Sequence, residues 1–420
     1  MSDVRDIVTQ RIAKEIKRLP DIHLSPLDIE HLDSRDAALV RAIDHAIRRR
    51  WITLSTLISH ASNRSMQQLD APVGAVLLVA SAQLMLLDRV PDHAVIHCAV
   101  EWIRNKGKRP RATGFVNAVL RSITRLRGSL LKSGTVGQAN HFLLSDGSAW
   151  ELTEPVFENG IAAQTGFSDT AWLRLMDGLG LQTATKIVFG SIAEPPVIVT
   201  IPAGNKLPEQ VIPHQQMNFG VVPSGVDIGA LLASEPTLRV QDPASAAPME
   251  LLKELRPRRI LDLCAGRGTK TKQLRSLFPD AFIGATEPNN ARRASLELLV
   301  KDLDIEVYAP NTEGPNKPFD LVVVDTPCTN SGVFARRPEA RYRFDKEHID
   351  SLVTLQRTIL KDAIAVMERG GHLLYATCSV DNAENHAQVD WMTNSQRFEP
   401  CADTFSLPSG FPGSDPTSWQ

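Results

Sequence analysis

The first 130 residues show the spacing of apolar positions that is typical of helices. Between residues 35 and 51, apolar side chains recur at i, i+3, i+4 and i+7 on one helix face: Leu39, Ala42, Ile43 and Ala46. Residues 73–87 are almost continuously apolar, which predicts a central buried helix, and residues 93–105 and 114–126 are again periodic. About five helices without strands predict an all-α helical bundle over residues 1–130.

The middle of the chain, residues 131–238, shows weaker patterns. Periodicity fades over residues 131–165, where Gly, Ser and Thr accumulate, so we expect a linker or a loosely structured insertion there. Residues 171–192 have the pattern of a helix pair, and the run 197–201 is typical of a strand. The sequence therefore predicts a linker and a small connecting domain between two larger domains.

From residue 239 to residue 420, short apolar strands alternate with helices. This alternation predicts an α/β domain with a mostly parallel, doubly wound (Rossmann-like) sheet. Ligands of such sheets bind at the carboxyl ends of the strands, so the residues that follow the strands are the candidates for chemistry. The predicted strands cover residues 259–263, 281–286, 321–325 and 372–376.

Composition places the chain among ordinary globular proteins. It has 420 residues, of which 43% are hydrophobic and 22% charged, enough to bury cores in about two or three domains. No apolar run is long enough for a membrane span, and the first residues lack the apolar core of a signal peptide. The five cysteines are irregularly spaced and predict neither a disulfide scaffold nor a metal site. We therefore expect a cytoplasmic protein that requires no membrane, no metal and no oligomer.

Charge is distributed unevenly along the chain. Residues 1–130 carry 20 Lys and Arg against 13 Asp and Glu, whereas the whole chain has a net charge of −2. A basic first third suits a polyanion as partner, although a solvated basic surface explains the same excess. Charge alone leaves both interpretations open.

Two glycines follow the first predicted strand of the α/β domain. In the run from Asp262 to Lys270, Gly266 and Gly268 let the backbone turn tightly before the next helix, whose N-terminus presents free amides. Glu287, at the end of the following strand, is placed to bind ribose hydroxyls. Nucleotide sites and S-adenosylmethionine sites share this pair of features, while an ordinary strand-to-helix turn explains the glycines alone.

Two cysteines follow later strands of the same predicted sheet. Cys328 comes shortly after the strand that ends at Asp325, and Cys378 comes shortly after the last strand. A single free cysteine is usually an inert buried residue. These two are expected at the edge where ligands bind, with an acidic side chain beside them, and a thiolate is a strong nucleophile when its pKa is lowered.

Several runs of sequence resemble the RNA cytosine-5 methyltransferase family in order and spacing: VQDPAS (240–245), DLCAGRGTKT (262–271), DTPCTNSGVFARRPEARYRF (325–344) and LLYATCSVDNAEN (373–385). Two runs nearer the start, LMLLDRVPDHAVIHCAVEW (84–102) and GFVNAVLRSI (114–123), resemble the NusB-type RNA-binding domain. That domain precedes the branch of the family that acts on 16S ribosomal RNA. The resemblance covers about two thirds of the chain and implies a methyltransferase that uses S-adenosylmethionine.

The resemblance implies a role for each catalytic residue. Cys378 matches the nucleophile that adds to carbon 6 of a cytosine, and Cys328 matches the second cysteine, which assists release of the methylated base. Asp325 matches the acid that binds the amino and ring-nitrogen edge of the cytosine. Because the target base must leave any stack, the implied substrate is a single-stranded or looped region of ribosomal RNA.

The resemblance also implies two binding surfaces. The expected cofactor site is formed by Asp262, Cys264, Ala265, Gly266, Gly268, Lys270, Glu287, Arg292, Asn311 and Asp325. A basic loop between two predicted helices is expected to contact RNA phosphates through Arg104, Lys106, Lys108, Arg109 and Arg111.

The sequence departs from the family pattern at several positions. Arg267 and Thr269 stand where the family has Pro and Gly, and Asn311 stands where it has Asp, so we expect cofactor binding to be about tenfold weaker. Thr329 and Asn330 replace Ser-Gly. An alternative function is therefore an RNA-binding ribosome-assembly factor with a weakened or inactive methyltransferase domain. A small-molecule or protein methyltransferase and a nicotinamide dehydrogenase are further alternatives.

Overall fold

The computed structural model describes residues 4–22, 27–87, 90–158, 160–309 and 318–420. The chain divides into two compact units. The first consists of Met1–Glu194, Phe334–Asp345 and Phe411–Gly413, and the second of Pro195–Val333, Lys346–Gly410 and Ser414–Gln420. The domain boundaries that we expect after residues 130 and 238 remain predictions.

The first unit begins with the predicted helical bundle, whose five helices are α1 (Val4–Glu15), α2 (Ser34–Ser62), α3 (Ala71–Leu86), α4 (Asp92–Asn105) and α5 (Thr113–Leu126). The apolar helix α3 is buried on every side, as its pattern predicts. Its one long polar side chain, Gln83, is satisfied inside the core, because it donates to the Val79 carbonyl at 2.9 Å and accepts from Arg5 at 2.8 Å. The all-α prediction for this part of the chain is confirmed as far as Leu126, and a strand begins at Arg127, before the predicted end at residue 130.

Residues 131–165, which we expected to be a linker, contain regular structure. A three-stranded antiparallel sheet of order β1-β3-β2 is formed by β1 (Arg127–Leu131), β2 (His141–Leu143) and β3 (Ala149–Leu152). Phe142 and Leu143 are fully buried, which explains why this segment orders. Strands of three to five residues are too short to give a periodic signal. Helices α6 (Ile161–Thr165), α7 (Asp169–Leu179) and α8 (Leu181–Gly190) complete this part, the last two being the predicted pair.

The segment Phe334–Asp345 belongs to the first unit although it follows Cys328 closely in the sequence. Its buried Arg341 donates to four backbone carbonyls, those of Arg49 (3.2 Å), Thr165 (3.1 Å), Ser191 (2.9 Å) and Phe334 (3.2 Å). Burial lowers the pKa of Arg341 to about 10, although Tyr342 and Glu339 nearby oppose this shift. One guanidinium therefore joins this segment to three other parts of the first unit.

The second unit starts with a small antiparallel sheet and two short helices. The sheet has the order β5-β6-β4-β7, and its core includes Val199, Val222 and Leu231. The elements are β4 (Val197–Thr200), β5 (Ile212–Pro213), β6 (Phe219–Val222), α9 (Ile228–Ser234), β7 (Arg239–Val240) and α10 (Pro243–Glu250).

The predicted parallel sheet follows, with the order β10-β9-β8-β11-β12 and parallel pairing between all neighbours. Consecutive residues of its strands, such as Ile260 and Leu261, enter hydrophobic clusters on opposite faces, so the sheet is covered on both sides. Its elements are β8 (Arg259–Asp262), α11 (Thr269–Leu277), β9 (Phe282–Thr286), α12 (Asn290–Val300), β10 (Ile305–Tyr308), β11 (Phe319–Asp325), α13 (Lys346–Val366), β12 (Met367–Ala376) and α14 (His386–Gln396).

The chain order reverses between β8 and β11, which are neighbours in the sheet. Such a reversal opens a crevice at the carboxyl ends of the two strands, where ligands of these sheets bind. The α/β prediction is confirmed, and β10 is a strand that the sequence patterns did not reveal. Among the described residues, no helix is both long and apolar enough to span a bilayer.

Candidate active site

The predicted cofactor residues lie at the carboxyl ends of β8 and β9. Gly266 (φ +59°) and Gly268 (φ +93°) adopt left-handed conformations that favour glycine. A Cβ atom on Gly268 would approach Leu296 to 2.8 Å, whereas a Cβ atom on Gly266 would meet no atom within 4 Å. The turn is thus packed on one side and open on the other, just before the first turn of α11.

Two acidic side chains flank this turn. Asp262 is fully buried and accepts a hydrogen bond from the Thr271 hydroxyl at 2.6 Å, and burial raises its pKa to about 6. Its Oδ1 is buried without a well-formed hydrogen bond from any residue that the structure describes. Glu287 is 3% exposed and pairs with Arg292 at 3.0 Å.

These features fit a nucleoside cofactor. The open side of Gly266 gives access to the backbone, Asp262 offers a buried carboxylate acceptor, and Glu287 offers carboxylate oxygens at the position where ribose hydroxyls are bound in such folds. Asn311, the remaining predicted contact, lies outside the described residues. Burial raises the pKa of Cys264 to about 12, so this cysteine is a neutral thiol and not a nucleophile.

The two candidate catalytic cysteines are in contact, with 3.2 Å between their sulfur atoms. Cys328 follows β11 and Cys378 follows β12, and these strands pair in parallel, which brings their ends together. The hydrogen bond between the thiols, followed by burial, raises the pKa of Cys328. The same hydrogen bond lowers the pKa of Cys378 and outweighs the effect of burial. The pair therefore consists of a thiol donor, Cys328, and a sulfur that ionises more easily, Cys378.

An ion pair lies next to these sulfurs. Lys270, on the first turn of α11, donates to Asp325 Oδ2 at 2.6 Å. Burial disfavours the charged lysine, but the Asp325 carboxylate outweighs it and raises the pKa of Lys270. The ammonium also contributes to lowering the pKa of Cys378. Lys270, which we expected only in the cofactor site, is thus part of the charge balance around the cysteines.

Glu384 connects the loops that carry the two cysteines, although sequence reasoning did not single it out. It is fully buried, and its Oε1 accepts from the Thr329 amide (2.9 Å) and Gln356 (3.0 Å). Its Oε2 accepts from the hydroxyls of Thr329 (2.5 Å) and Ser379 (2.6 Å). Thr329 follows Cys328 and Ser379 follows Cys378, so one carboxylate holds the residues next to both sulfurs. Glu384 lies six residues after Cys378 and directly before Asn385. This short distance from Cys378 is the feature of the sequence that could have pointed to Glu384 as a site residue.

Asn330 is a second residue that the prediction treated only as a departure from the family pattern. Its φ of +59° is left-handed, a conformation that Asn tolerates better than most residues, which explains how it replaces a glycine. Its side chain donates to the Cys328 carbonyl at 2.9 Å, and its Oδ1 lies 3.3 Å from the Cys378 sulfur. The side chain therefore contacts both cysteines.

The basic loop that we expected to bind RNA belongs to the first unit, and three of its five charges are already paired. Arg104 pairs with Glu101 (2.6 Å), Lys106 with Asp6 (3.6 Å) and Arg109 with Asp70 (2.7 Å). The other two, Lys108 and Arg111, are exposed and make no ion pair with any described residue. Nor do the described residues include a cluster of three or more His, Cys, Asp or Glu side chains suited to a metal.

A Rossmann-like sheet with this glycine turn defines the class of proteins that bind a nucleoside cofactor. The family model for 16S rRNA methyltransferase RsmB/F matches residues 249–405, and the NusB family model matches residues 4–125. The chain belongs to the RsmB/F methyltransferase family and carries a NusB domain in front. S-adenosylmethionine is the cofactor of such an enzyme.

Individual relatives match this chain over most of its length and most of their own. Ribosomal RNA small subunit methyltransferase B of Erwinia tasmaniensis is 26% identical over 93% of this chain and 89% of its own. The Mycobacterium tuberculosis protein Rv1407, named as a methyltransferase, is 30% identical over 85% of this chain and 79% of its own. The crystal structure of PH0851 superposes with a TM-score of 0.67 at 18% identity, covering 93% of this chain and 89% of that one. This last likeness shows a shared fold.

Proposed function

We propose that this protein methylates carbon 5 of a cytosine in small-subunit (16S) ribosomal RNA, through a covalent adduct between Cys378 and the base. The single observation that carries the proposal is the contact of 3.2 Å between a Cys378 sulfur of lowered pKa and the Cys328 thiol. A methyltransferase that acts on a nucleophilic nitrogen or oxygen has no use for such a pair. The relatives named as ribosomal RNA methyltransferases support the substrate class.

The first step is the addition of the Cys378 sulfur to the base. Its thiolate adds to carbon 6, the sulfur–carbon bond forms, and the electron pair of the carbon 5–carbon 6 double bond moves toward carbon 5. Asp325, whose Oδ2 is held by Lys270 at 2.6 Å, accepts a hydrogen bond from the amino group of the base and orients it for this addition. Bound S-adenosylmethionine supplies an electrophilic methyl group.

Release of the product requires a base, and Cys328 is placed for that role. As long as Cys378 is a thiolate, it holds the proton of Cys328 through their hydrogen bond and raises the pKa of Cys328. In the adduct Cys378 is a thioether, so this effect is lost and Cys328 ionises more easily. Its thiolate takes the proton from carbon 5, the double bond re-forms, and Cys378 leaves as a thiolate.

The proposal is tested by bisulfite sequencing of 16S ribosomal RNA from a strain without this gene, complemented by the wild-type or variant gene. We expect one cytosine to lose its methyl group in the deletion strain and in the Cys378→Ser strain. Purified Cys328→Ala is expected to accumulate a protein–RNA adduct that survives denaturing electrophoresis. An unchanged methylation pattern in the deletion strain would refute the proposal.

The alternative, a ribosome-assembly factor with an inactive methyltransferase domain, rests on the departures at Arg267, Thr269 and Asn311. A decayed site does not require two ionisable sulfurs in contact or a fully buried Glu384 that holds the residues beside them. Calorimetric titration with S-adenosylmethionine separates the two, because the inactive factor is expected to show no binding at millimolar cofactor.

A further inference from the structure

Asn330 faces both cysteines with different groups. Its side-chain Nδ2 donates to the Cys328 carbonyl at 2.9 Å, and its Oδ1 lies 3.3 Å from the Cys378 sulfur. The hydrogen bond between the thiols and burial raise the pKa of Cys328, and the backbone amide of Asn330 opposes this rise. The steps of the proposed reaction do not use this residue, although it contacts the sulfur that attacks the base.

The loop that carries Asn330 is fixed against the loop of Cys378. The Asn330 carbonyl accepts from the Val333 amide at 3.1 Å, which closes a short turn, and the Gly332 amide donates to the Cys378 carbonyl at 2.8 Å. Asn330 and Cys378 are both half-buried. The amide group is therefore held beside the sulfur without the help of a substrate.

The orientation of the Asn330 amide follows from its partners. A carbonyl oxygen can only accept hydrogen bonds, so the NH2 group of Asn330 must face the Cys328 carbonyl. The reversed amide would bring two oxygen acceptors into contact. The amide oxygen must therefore face the Cys378 sulfur, and it gains a hydrogen bond there only when Cys378 carries its proton.

A neutral pair of cysteines completes a ring of three hydrogen bonds. The Cys328 thiol donates to the Cys378 sulfur (3.2 Å), the Cys378 thiol donates to Asn330 Oδ1 (3.3 Å), and Asn330 Nδ2 donates to the Cys328 carbonyl (2.9 Å). Hydrogen bonds in such a chain strengthen one another. Ionisation of Cys378 leaves two of them intact but turns the third into a contact between a thiolate and an amide oxygen, which repel each other.

We propose that Asn330 is a further catalytic residue, whose amide oxygen accepts a hydrogen bond from the Cys378 thiol and holds the attacking sulfur neutral and in position in the free enzyme. For the reaction, the thiol gives its proton to water, the electron pair stays on the sulfur, and the thiolate adds to carbon 6 of the base. This inference rests on the proposed function, since it takes Cys378 as the nucleophile.

The groups around Cys378 determine the expected direction of the effect. The Cys328 hydrogen bond and the Lys270 ammonium lower the pKa of Cys378. Burial and two carboxylates raise it, those of Asp325 and Glu384. The Asn330 oxygen acts in the same direction as the carboxylates, because it stabilises only the protonated sulfur. Removing it therefore lowers the pKa of Cys378 further.

The test is the pH dependence of Cys378 alkylation by iodoacetamide in the full-length protein, read by mass spectrometry in the absence of RNA. Asn330→Gly removes the acceptor but keeps the backbone amide and suits the left-handed backbone. At a pH below the pKa of Cys378, we expect alkylation to become about three- to tenfold faster, which corresponds to the net contribution of one neutral hydrogen bond. The exposed Cys401 is the internal reference for the reagent.

Asn330→Asp tests the same contact with the opposite sign. Aspartate has the same size and tolerates the left-handed backbone, but it places a negative charge beside the sulfur. We expect alkylation of Cys378 at neutral pH to be about tenfold slower or more. If either variant alkylates at the wild-type rate, the role of Asn330 is refuted.

Two controls separate this role from a general loosening of the site. Asn63→Gly makes the same substitution at an exposed left-handed asparagine of the first unit (φ +51°), and we expect it to alkylate like the wild-type protein. Burial raises the pKa of Cys264 to about 12, so this thiol is expected to stay unreactive in every variant. Faster alkylation in Asn63→Gly, or of Cys264 together with Cys378, would contradict the inference.

A second background shows whether Asn330 acts on Cys378 directly. Cys328→Ala keeps the carbonyl that orients the Asn330 amide, so adding Asn330→Gly to it is expected to accelerate alkylation of Cys378 by a similar factor. If the acceleration disappears, Asn330 acts only through the Cys328 thiol and the inference is wrong.

Methyl transfer gives the catalytic readout. In single turnovers with saturating RNA and cofactor, Asn330→Gly is expected to keep more of its rate at low pH than the wild-type protein, because less of its Cys378 is protonated there. If the wild-type protein methylates ribosomal RNA and this pH profile is unchanged in the variant, only the role of Asn330 is refuted. If alkylation responds to Asn330 but no cytosine is methylated in the cell, the contact with the sulfur is confirmed and the proposed reaction is refuted.

Discussion

Replacing Glu384 by Gln is expected to slow methyl transfer strongly and to destabilise the protein only slightly. The Glu384 carboxylate accepts four hydrogen bonds, two from the residue after Cys328, one from the residue after Cys378 and one from Gln356. Gln keeps the size of the side chain and the oxygen that faces Gln356 and the Thr329 amide. It replaces the other oxygen by an NH2 group, which faces the hydroxyls of Thr329 and Ser379 as a donor and not as an acceptor.

The structure sets the expected magnitude. Hydrogen bonds to a charged acceptor contribute about 1.5–3 kcal/mol each and neutral ones about 1 kcal/mol, so the change weakens four contacts. Removing a buried charge offsets part of this loss, because a carboxylate is costly to bury. We expect the free energy of unfolding to fall by about 1–2 kcal/mol. The hydroxyls no longer hold both cysteine loops, and a displacement of the sulfurs by even a fraction of an ångström slows chemistry, so we expect kcat to fall about 10–100-fold.

The assay is single-turnover methyl transfer with saturating RNA and cofactor, together with thermal unfolding and calorimetric cofactor binding. Glu15→Gln is the matched control, because Glu15 is also buried and charged but pairs with Arg48 in the first unit. We expect this control to lose stability and to retain kcat. If Glu384→Gln retains full kcat, or if Glu15→Gln slows turnover equally, the positioning role is refuted.

The pH dependence of Cys378 alkylation distinguishes the effect of Glu384 on the position of this sulfur from the effect of its charge on the pKa of the sulfur. The hydrogen bond from Cys328 lowers the pKa of Cys378, while burial, Asp325 and Glu384 raise it. Loss of the Glu384 charge therefore lowers the pKa of Cys378 further and makes it react with iodoacetamide at lower pH. A variant that alkylates at lower pH but turns over slowly has a reactive sulfur in the wrong place, which is the outcome we expect.

Three further predictions concern Asp262, the cysteine pair and Arg341. Burial raises the pKa of Asp262 from 3.8 to about 6, so the folded state holds this proton more tightly than the unfolded state and stability is lost as pH rises through this interval. The free energy of unfolding of Asp262→Asn is therefore expected to exceed that of wild type near neutral pH, by about 3 kcal/mol at most, so the variant unfolds at a higher temperature. This advantage disappears below about pH 4, as calorimetry at several pH values would show. Diamide, which takes two electrons from a pair of thiols, is expected to join Cys328 and Cys378 in a disulfide, because their sulfurs are 3.2 Å apart. The disulfide is expected to stop methyl transfer until dithiothreitol reduces it. Mass spectrometry detects the disulfide, and Cys328→Ala, which cannot form it, is the control. Arg341→Leu removes the side chain that donates to four backbone carbonyls and is expected to destabilise the first unit by about 3–5 kcal/mol. If the variant unfolds at the same urea concentration as the wild-type protein, this role of Arg341 is refuted.

The sequence predicts those parts of the fold that repeat a regular pattern over many residues. The long helices of the first unit and the apolar strands β8, β9 and β11 have such patterns, and both were found. Strand β10, with the sequence IEVY, is only four residues long and partly exposed, so neither period nor hydrophobicity marks it. The same reason applies to the short strands within residues 131–165.

The candidate site was predictable where it depends on the ends of strands. Cys328 and Cys378 are 50 residues apart, but both follow strands of one parallel sheet, and this alone places them at the same edge. Glu384 does not lie at the end of a strand, and its place in the acidic-Asn pair 384–385 indicates neither its burial nor its partners. Its partners Thr329 and Gln356 lie 55 and 28 residues away in the sequence, and a buried carboxylate that holds two loops becomes visible only when the loops are seen together.

The departures from the family pattern gain a different meaning from the structure. We expected Arg267 to weaken cofactor binding because it replaces a rigid proline, but its side chain is exposed and donates to Ser295 of α12 at 2.9 Å. Gly268 cannot carry a Cβ without meeting Leu296, and it is retained. Asn330 has a left-handed backbone, which a glycine also adopts readily, and its side chain contacts both cysteines. At these positions the glycine turn is intact and the residues beside the sulfurs are held by side-chain contacts, which argues for an active enzyme over a decayed one.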